Sequence, residues 1–340
     1  MKKYLRVLSL AVAFAMMLSL TACGGSTKTD APKAEAPKAE EPKKEEPKKS
    51  DKLVVGFSQI GAESEWRTAE TNSIKSEAEK LGIDLKFADA QQKQENQIKA
   101  LRTFIAQKVD VIGIAPVVET GWDTVFQEAK DAKIPIIFLD RKAKCDESLY
   151  ATFIGSDFIE EGKNAAKEIA KLLNNKGNVV ELEGTVGASA ATDRKKGFDD
   201  EIKASFPDIK IIKSQTGDFT RAKGKEVMES WLKSDKNNIQ AVYAHNDDMA
   251  LGAIQAIEEA GLKPGTDIKI VSIDGVKGAF EAMVAGKLNV TVECNPCLGP
   301  QFFEAAKALK EGKQLEKWVK SKEGVFRMET AKEDIKTRTY

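Results

Sequence analysis

The chain has a single histidine, His245, in 340 residues. It also lacks a Gly-x-Ser-x-Gly elbow, a Walker A loop and any metal-spaced His/Asp cluster. The usual signatures of an exported α/β hydrolase, a nucleotide hydrolase or a metalloenzyme are therefore missing. A lone histidine is more often packed or hydrogen-bonded than catalytic, so no enzyme, cofactor or metal is expected. Cysteine is scarce as well, with four in the chain. Cys294-Asn-Pro-Cys297 has the spacing of a redox or half-zinc motif, but no second ligand pair exists. Free thiols or a local disulfide rank first among the readings, and a catalytic dithiol last. Net charge is absent too: 53 Lys and Arg balance 53 Asp and Glu. Removing Lys2, Lys3 and Arg6 with a leader leaves 50 basic against 53 acidic residues. That balance, and the lack of a basic helix-turn-helix, gives no case for nucleic acid.

Long apolar runs are missing apart from Val7 to Leu20. At about fourteen residues this run is too short for a comfortable membrane span, and a basic stretch precedes it. It ends in Leu20-Thr21-Ala22-Cys23-Gly24, which resembles the bacterial lipoprotein box. The resemblance implies a signal peptide over 1–22, cleavage before Cys23, and a lipid anchor on the Cys23 sulfur. Ala31 to Ser50 then has almost no apolar mass and repeats Pro32, Pro37, Pro42 and Pro47 every five residues. Such a stretch cannot bury a core, and its prolines favour extended backbone. Residues 23–52 read as a tether reaching on the order of 90 Å at about 3.1 Å per residue.

From Leu53 onward, strand and helix patterns alternate. Strands are expected at Leu53 to Ser58, Ile83 to Ala88, Val109 to Ala115 and Pro135 to Leu139. The pattern restarts with strands at Ala151 to Ile154, Asn178 to Leu182 and Ile209 to Ser214. Ala241 to Ala244, Ile268 to Ile273 and Asn289 to Cys294 complete the set. This β-α-β order predicts an α/β fold with parallel sheets, and two successive units predict two lobes. Ligands in such folds bind beyond the carboxyl ends of the strands, and clefts between lobes are favoured sites.

The strand ends carry a consistent chemistry. After the first come Glu63, Ser64, Trp66 and Arg67, and after the fourth come Asp140 and Arg141. The second unit offers Arg194, Phe219, His245, Asn246, Asp247, Asp274 and Glu293. Carboxylates, amides and guanidinium groups bridge neighbouring hydroxyls, while a flat ring covers the C–H face of a sugar. Several of these residues also have duller roles. Glu63 could be a solvated loop residue, Trp66 a packing residue, and Asp247 reads as the N-cap of the helix it opens.

Asp140-Arg141 after an apolar strand, Gly217 to Phe219, Asn246 to Ala253 and Ser272 to Gly275 resemble the ribose- and galactose-type periplasmic binding proteins of ABC transporters. Gly56 to Arg67, Gln91 to Gln97, Gly184 to Ser189, Asp193 to Gly197 and Gly217 to Arg221 are most similar to members of that family that bind galactofuranose. The resemblance implies the type I fold, two Rossmann-like lobes with parallel sheets joined by a three-segment hinge. Residues 53–154 with 296–325 would form one lobe, and 155–295 with 326–340 the other. The hinge would run near Ile154 to Asp157, Cys294 to Pro296 and the stretch after Glu323. Asp140, Arg141, Arg194, Asn246 and Asp274 would bond sugar hydroxyls, Trp66 and Phe219 would stack, and Ser64 would add a polar contact. Arg67 replaces an aromatic of the ribose-type pattern, and Glu293 stands near the position of a family Gln. The expected partners are a monosaccharide such as galactofuranose, an ABC permease and, through the anchor, the outer face of the cell membrane. The protein is expected to act as a monomer.

Overall fold

The carboxyl ends of two six-stranded sheets position the site. The computed structural model describes residues 52–340. The leader, Cys23 and all of the tether before residue 52 lie outside the described residues. The first sheet contains β1 (Val54–Gln59), β2 (Asp84–Asp89), β3 (Val111–Ile114), β4 (Ile136–Leu139) and β5 (Thr152–Gly155). The second contains β6 (Gly177–Glu183), β7 (Ile209–Thr216), β8 (Ala241–Ala244), β9 (Lys269–Asp274) and β10 (Val290–Glu293). Two short strands complete them, β11 (Trp318–Lys320) at one edge of the first sheet and β12 (Val325–Arg327) at one edge of the second. The orders are β11-β5-β4-β3-β1-β2 and β12-β10-β9-β8-β6-β7. Every pairing is parallel except that of β12, which runs antiparallel to β10.

The central strands follow from composition. β3 reads Val-Ile-Gly-Ile and β4 reads Ile-Ile-Phe-Leu, and every residue of both is buried. Continuous apolar runs of this kind suit strands covered on both faces by helices. Those helices are α1 (Glu65–Lys80), α2 (Gln94–Ala106), α3 (Asp123–Asp131) and α9 (Gly299–Lys310) around the first sheet. α4 (Phe158–Leu172), α5 (Ser189–Ser205), α6 (Arg221–Asp235), α7 (Asp247–Glu259) and α8 (Lys277–Val284) accompany the second. Gly113 lets α9 press close, because a Cβ there would stand 2.4 Å from the Phe302 ring.

The chain passes between the sheets three times. It leaves β5 for α4 through Ser156 and Asp157, and leaves β10 for α9 through residues 294–298. Its last passage, residues 321–324, joins β11 to β12. Val325 pairs with Val292 of β10, so residue 325 lies in the second sheet and not in the first-lobe segment that the family resemblance implies. Neither β11 nor β12 has a sequence signature. Each is three residues long and held at an edge by its neighbour, with no apolar run of its own.

Bonds also cross the cleft between the two halves. Glu65 N–H donates to Asp248 Oδ2 at 2.7 Å, and Glu119 N–H donates to the Gly187 carbonyl at 2.9 Å. Lys142 N–H donates to Ser189 Oγ at 3.2 Å. Trp66, on α1, packs among apolar residues of the second half. Among the described residues, no helix is long and apolar enough to cross a membrane.

Candidate functional site

Strand ends from both sheets converge on one cavity. It is lined by Glu63, Ser64, Trp66, Arg67, Asp140 and Arg141 from the first half, and by Ala190, Arg194, Phe219, Asn246, Asp274 and Cys294 from the second. The enclosed space is about 20 Å³, room for one water molecule. With its side chains placed as they are, the cavity does not admit a monosaccharide.

Three buried arginines fill it. Arg67 donates from Nε to Glu63 Oε1 at 3.2 Å and from Nη2 to Asp140 Oδ2 at 2.6 Å, and Nη1 bonds Glu70. Glu70 lies one turn on along the same helix, at the i+3 spacing that brings side chains together. Arg194 donates from Nε to Glu161 Oε2 and from Nη1 to the His245 carbonyl, both at 2.7 Å. Its Nη2 stands 3.7 Å from Asp274 Oδ1. Arg141 is less fully held. Its Nη1 donates to the Val117 carbonyl at 3.4 Å, and its guanidinium lies 4.9 Å from the centre of the Phe219 ring. Burial first, then the nearby Arg67 charge, depress the Arg141 value to about 10. Arg141 Nε and Glu63 Oε2 are buried without a hydrogen-bond partner, Nε standing 3.8 Å from Asp140 Oδ2. A donor and an acceptor left in that state cost free energy until a ligand bonds them.

The backbone is strained where it presents these groups. Asp140 has φ +62°, Phe219 φ +60° and Asp274 φ +133°. Side-chain-bearing residues rarely adopt such values, and they persist only where surrounding structure enforces them. At Asp274 the enforcement is visible. Asp247 accepts the Gly275 N–H at 2.8 Å, the Val276 N–H at 2.9 Å and the Thr291 hydroxyl at 2.9 Å, and bonds the Ser272 hydroxyl as well. Burial, and then the Arg194 charge acting the other way, leave the Asp274 carboxyl well above its ordinary value.

Nine of the ten sequence candidates line the cavity: Ser64, Trp66, Arg67, Asp140, Arg141, Arg194, Phe219, Asn246 and Asp274. Two of them also cap helices. Ser64 Oγ accepts the Arg67 N–H at 3.1 Å, and Asn246 Oδ1 accepts the Met249 N–H at 3.0 Å. The N-cap of α7 is thus Asn246, not Asp247, whose buried carboxylate is spent on the β9 turn. Trp66 Nε1 donates to the Cys294 carbonyl, and the indole lies against the Arg67 guanidinium at 4.7 Å.

Glu293 is not brought to the cavity. Its Oε1 accepts from Arg338 Nη1 at 2.9 Å and Tyr340 Oη at 3.0 Å, and its Oε2 accepts the Gly324 N–H at 2.9 Å. Those partners lie far along the chain, so no local signal marks the difference. Glu63, which reads as an ambiguous loop residue, is buried against Arg67 and lines the cavity. His245 is a packed residue. Its Nδ1 accepts the Gly184 N–H at 3.2 Å, which leaves Nε2 to donate to Glu181 Oε1 at 3.1 Å. Cys145, Cys294 and Cys297 are free thiols, so no local disulfide joins Cys294 to Cys297.

Residues 55–314 match the family model for a periplasmic binding protein domain. The chain is 58% identical over 291 residues to the galactofuranose-binding protein YtfQ of Escherichia coli (strain K12), covering 84% of this chain and 91% of that one. A solved structure of the periplasmic binding protein of the arabinose ABC transporter from Shewanella sp. ANA-3, bound to α- and β-L-arabinofuranose, is 54% identical. It superposes with a TM-score of 0.82 over 84% of this chain and 96% of its own. A structure from Mycobacterium smegmatis in complex with β-D-fucofuranose is 51% identical, with a TM-score of 0.82 over 85% and 95% of the two chains. With two parallel-dominated sheets, three crossings and a cavity at the strand ends, the chain belongs to the periplasmic binding protein family and has its type I fold.

Proposed function

We propose that the protein is the extracytoplasmic sugar-binding component of an ABC importer, and that it takes a monosaccharide in the furanose form, galactofuranose or a close relative. The observation that carries this reading is the cavity's donor set. Three arginines and the carboxyl groups of Glu63, Asp140 and Asp274 converge from both halves, with the rings of Trp66 and Phe219 also lining the cavity. Such a set bonds vicinal hydroxyls in pairs and covers a C–H face. It also rejects ligands that leave its buried groups unbonded. The relatives described with galactofuranose, arabinofuranose and fucofuranose support the choice of ring.

Asp140, Arg141, Arg194, Asn246 and Asp274 bond the hydroxyls in this reading, Ser64, Arg67 and Glu63 complete the polar wall, and Trp66 and Phe219 stack. Asp140 accepts from Arg67 at 2.6 Å and is held as a hydrogen-bond acceptor, and in this reading the protein binds its sugar without turnover. Cys23 carries the lipid, the 23–52 segment spaces the folded part from the membrane, and the sugar-closed monomer docks on a permease. A thermal-shift screen tests the ligand. Galactofuranose should raise the melting temperature at micromolar concentration, and pyranose-locked methyl galactoside should not. A shift with the pyranoside alone would refute the furanose assignment.

A further inference from the structure

One carboxylate joins all three passages of the chain between the halves. Glu323 stands on the third passage, between β11 and β12. Its Oε1 bonds the Ser156 hydroxyl on the first passage and accepts the Asn295 N–H on the second, at 3.3 Å. Ser156 Oγ lies 3.4 Å from Cys294 Sγ, which tightens the same knot. Backbone bonds tie the third passage to the ends of the strands that lead into the other two, Ser321 N–H to the Gly155 carbonyl at 3.2 Å and Glu293 N–H to the Gly324 carbonyl at 2.9 Å.

Charged groups face this knot from several elements. Carboxylate oxygens of Glu161, on α4, and Glu323 lie within 4.8 Å of each other and of Cys294 Sγ. Arg194, on α5, is already bonded to Glu161 at 2.7 Å and to the His245 carbonyl. Lys320, on β11, turns instead to Asp157 at 2.8 Å. Two carboxylates thus face each other in a largely buried place; Arg194 is bonded to Glu161 and Lys320 to Asp157, so neither cation is bonded to Glu323. Keeping both ionised there is costly, and a proton on one of them removes the repulsion.

We propose that Glu323 is a hinge clasp whose proton favours the closed arrangement, so that loss of that proton loosens the three passages and opens the cleft. Burial first, then the Glu161 charge, push the Glu323 carboxyl up to about 8 in the arrangement seen here. Opening admits water to the passages and returns the group toward its ordinary value near 4.5. The closed form therefore holds the proton more tightly. Its advantage is fully present below about pH 4.5 and is lost as pH rises through about 8.

The test uses the full chain without sugar, so its failure is distinguishable from failure of the ligand assignment. Spin labels on the two halves report their separation at pH 6 and pH 9. In the wild type, the population at the longer separation should grow at pH 9. Glu323→Gln, which preserves shape and hydrogen-bond acceptance but does not titrate, should lose that shift and hold the short separation at both pH values. Ser156→Ala, which keeps the carboxylate but removes a bond to it, should already show the longer separation at pH 6. A wild type whose separation ignores pH would overturn the proposal, and so would a Glu323→Gln variant that opens as the wild type does. If Glu323→Gln fails to fold, Ser156→Ala decides alone, and an unaltered separation in it counts against the clasp.

Discussion

Asp247 and Gly275 are joined by a 2.8 Å hydrogen bond from the glycine N–H to the buried carboxylate, and this bond holds the strained turn that aims Asp274 into the cavity. Asp247 does not line the cavity, yet the cavity's geometry depends on it. Asp247→Ala would strand the Val276 N–H and two hydroxyls and leave the Gly275 N–H with Thr291 Oγ1 alone. A loss of about 2–4 kcal/mol is expected by urea denaturation. Asp274 should also lose its fixed direction, so sugar affinity measured by calorimetry should fall at least about tenfold, or 1.4 kcal/mol.

Glu70 gives a pH signature. Burial, opposed by the Arg67 charge, raises its carboxyl to about 7 from an ordinary 4.5. A group whose folded value is raised adds stability that is fully present below about 4.5 and lost as pH rises through about 7. Melting temperature should therefore decline across that window, and Glu70→Gln should flatten the decline. An unchanged slope in Glu70→Gln would assign the pH dependence to other groups, with Asp247, raised to about 7 by burial, the first to examine.

Gly162 sets how closely α4 approaches α5. A Cβ at Gly162 would lie 2.2 Å from the Arg194 carbonyl, so Gly162→Ala must push the helices apart. Overpacking of this kind costs about 1–3 kcal/mol in chemical denaturation. Because Glu161 precedes Gly162 and grips Arg194, the variant should also weaken sugar binding. Gly82, whose added Cβ would meet nothing within 4 Å, serves as the comparison. Its positive φ of +64° makes Gly82→Ala cost about 1 kcal/mol in stability, without loss of affinity.

Much of this was legible in the sequence, for identifiable reasons. The strands of both sheets announce themselves as apolar runs because parallel strands are buried on both faces. Site residues at strand ends are legible because topology fixes where a parallel sheet binds. The failures share a different cause. Asn246 and Asp247 are adjacent, and which one caps α7 depends on the φ/ψ values and on what lies behind the helix, neither of which composition shows. Glu293 is claimed by Arg338 and Tyr340 from the end of the chain, and β11 and β12 exist only through pairing with remote strands. Glu63 looks like any loop acid until Arg67 is seen against it.

The central claim is that a furanose closes the cleft by bonding groups from both halves. Calorimetric titration of D-galactofuranose into the wild type, Arg141→Ala and Asp274→Ala tests it most directly. Arg141 belongs to the first half and Asp274 to the second. The account predicts saturable one-to-one binding by the wild type and a loss of about a hundredfold or more, roughly 3 kcal/mol, in each variant. Full affinity in both variants would contradict it and place the sugar elsewhere.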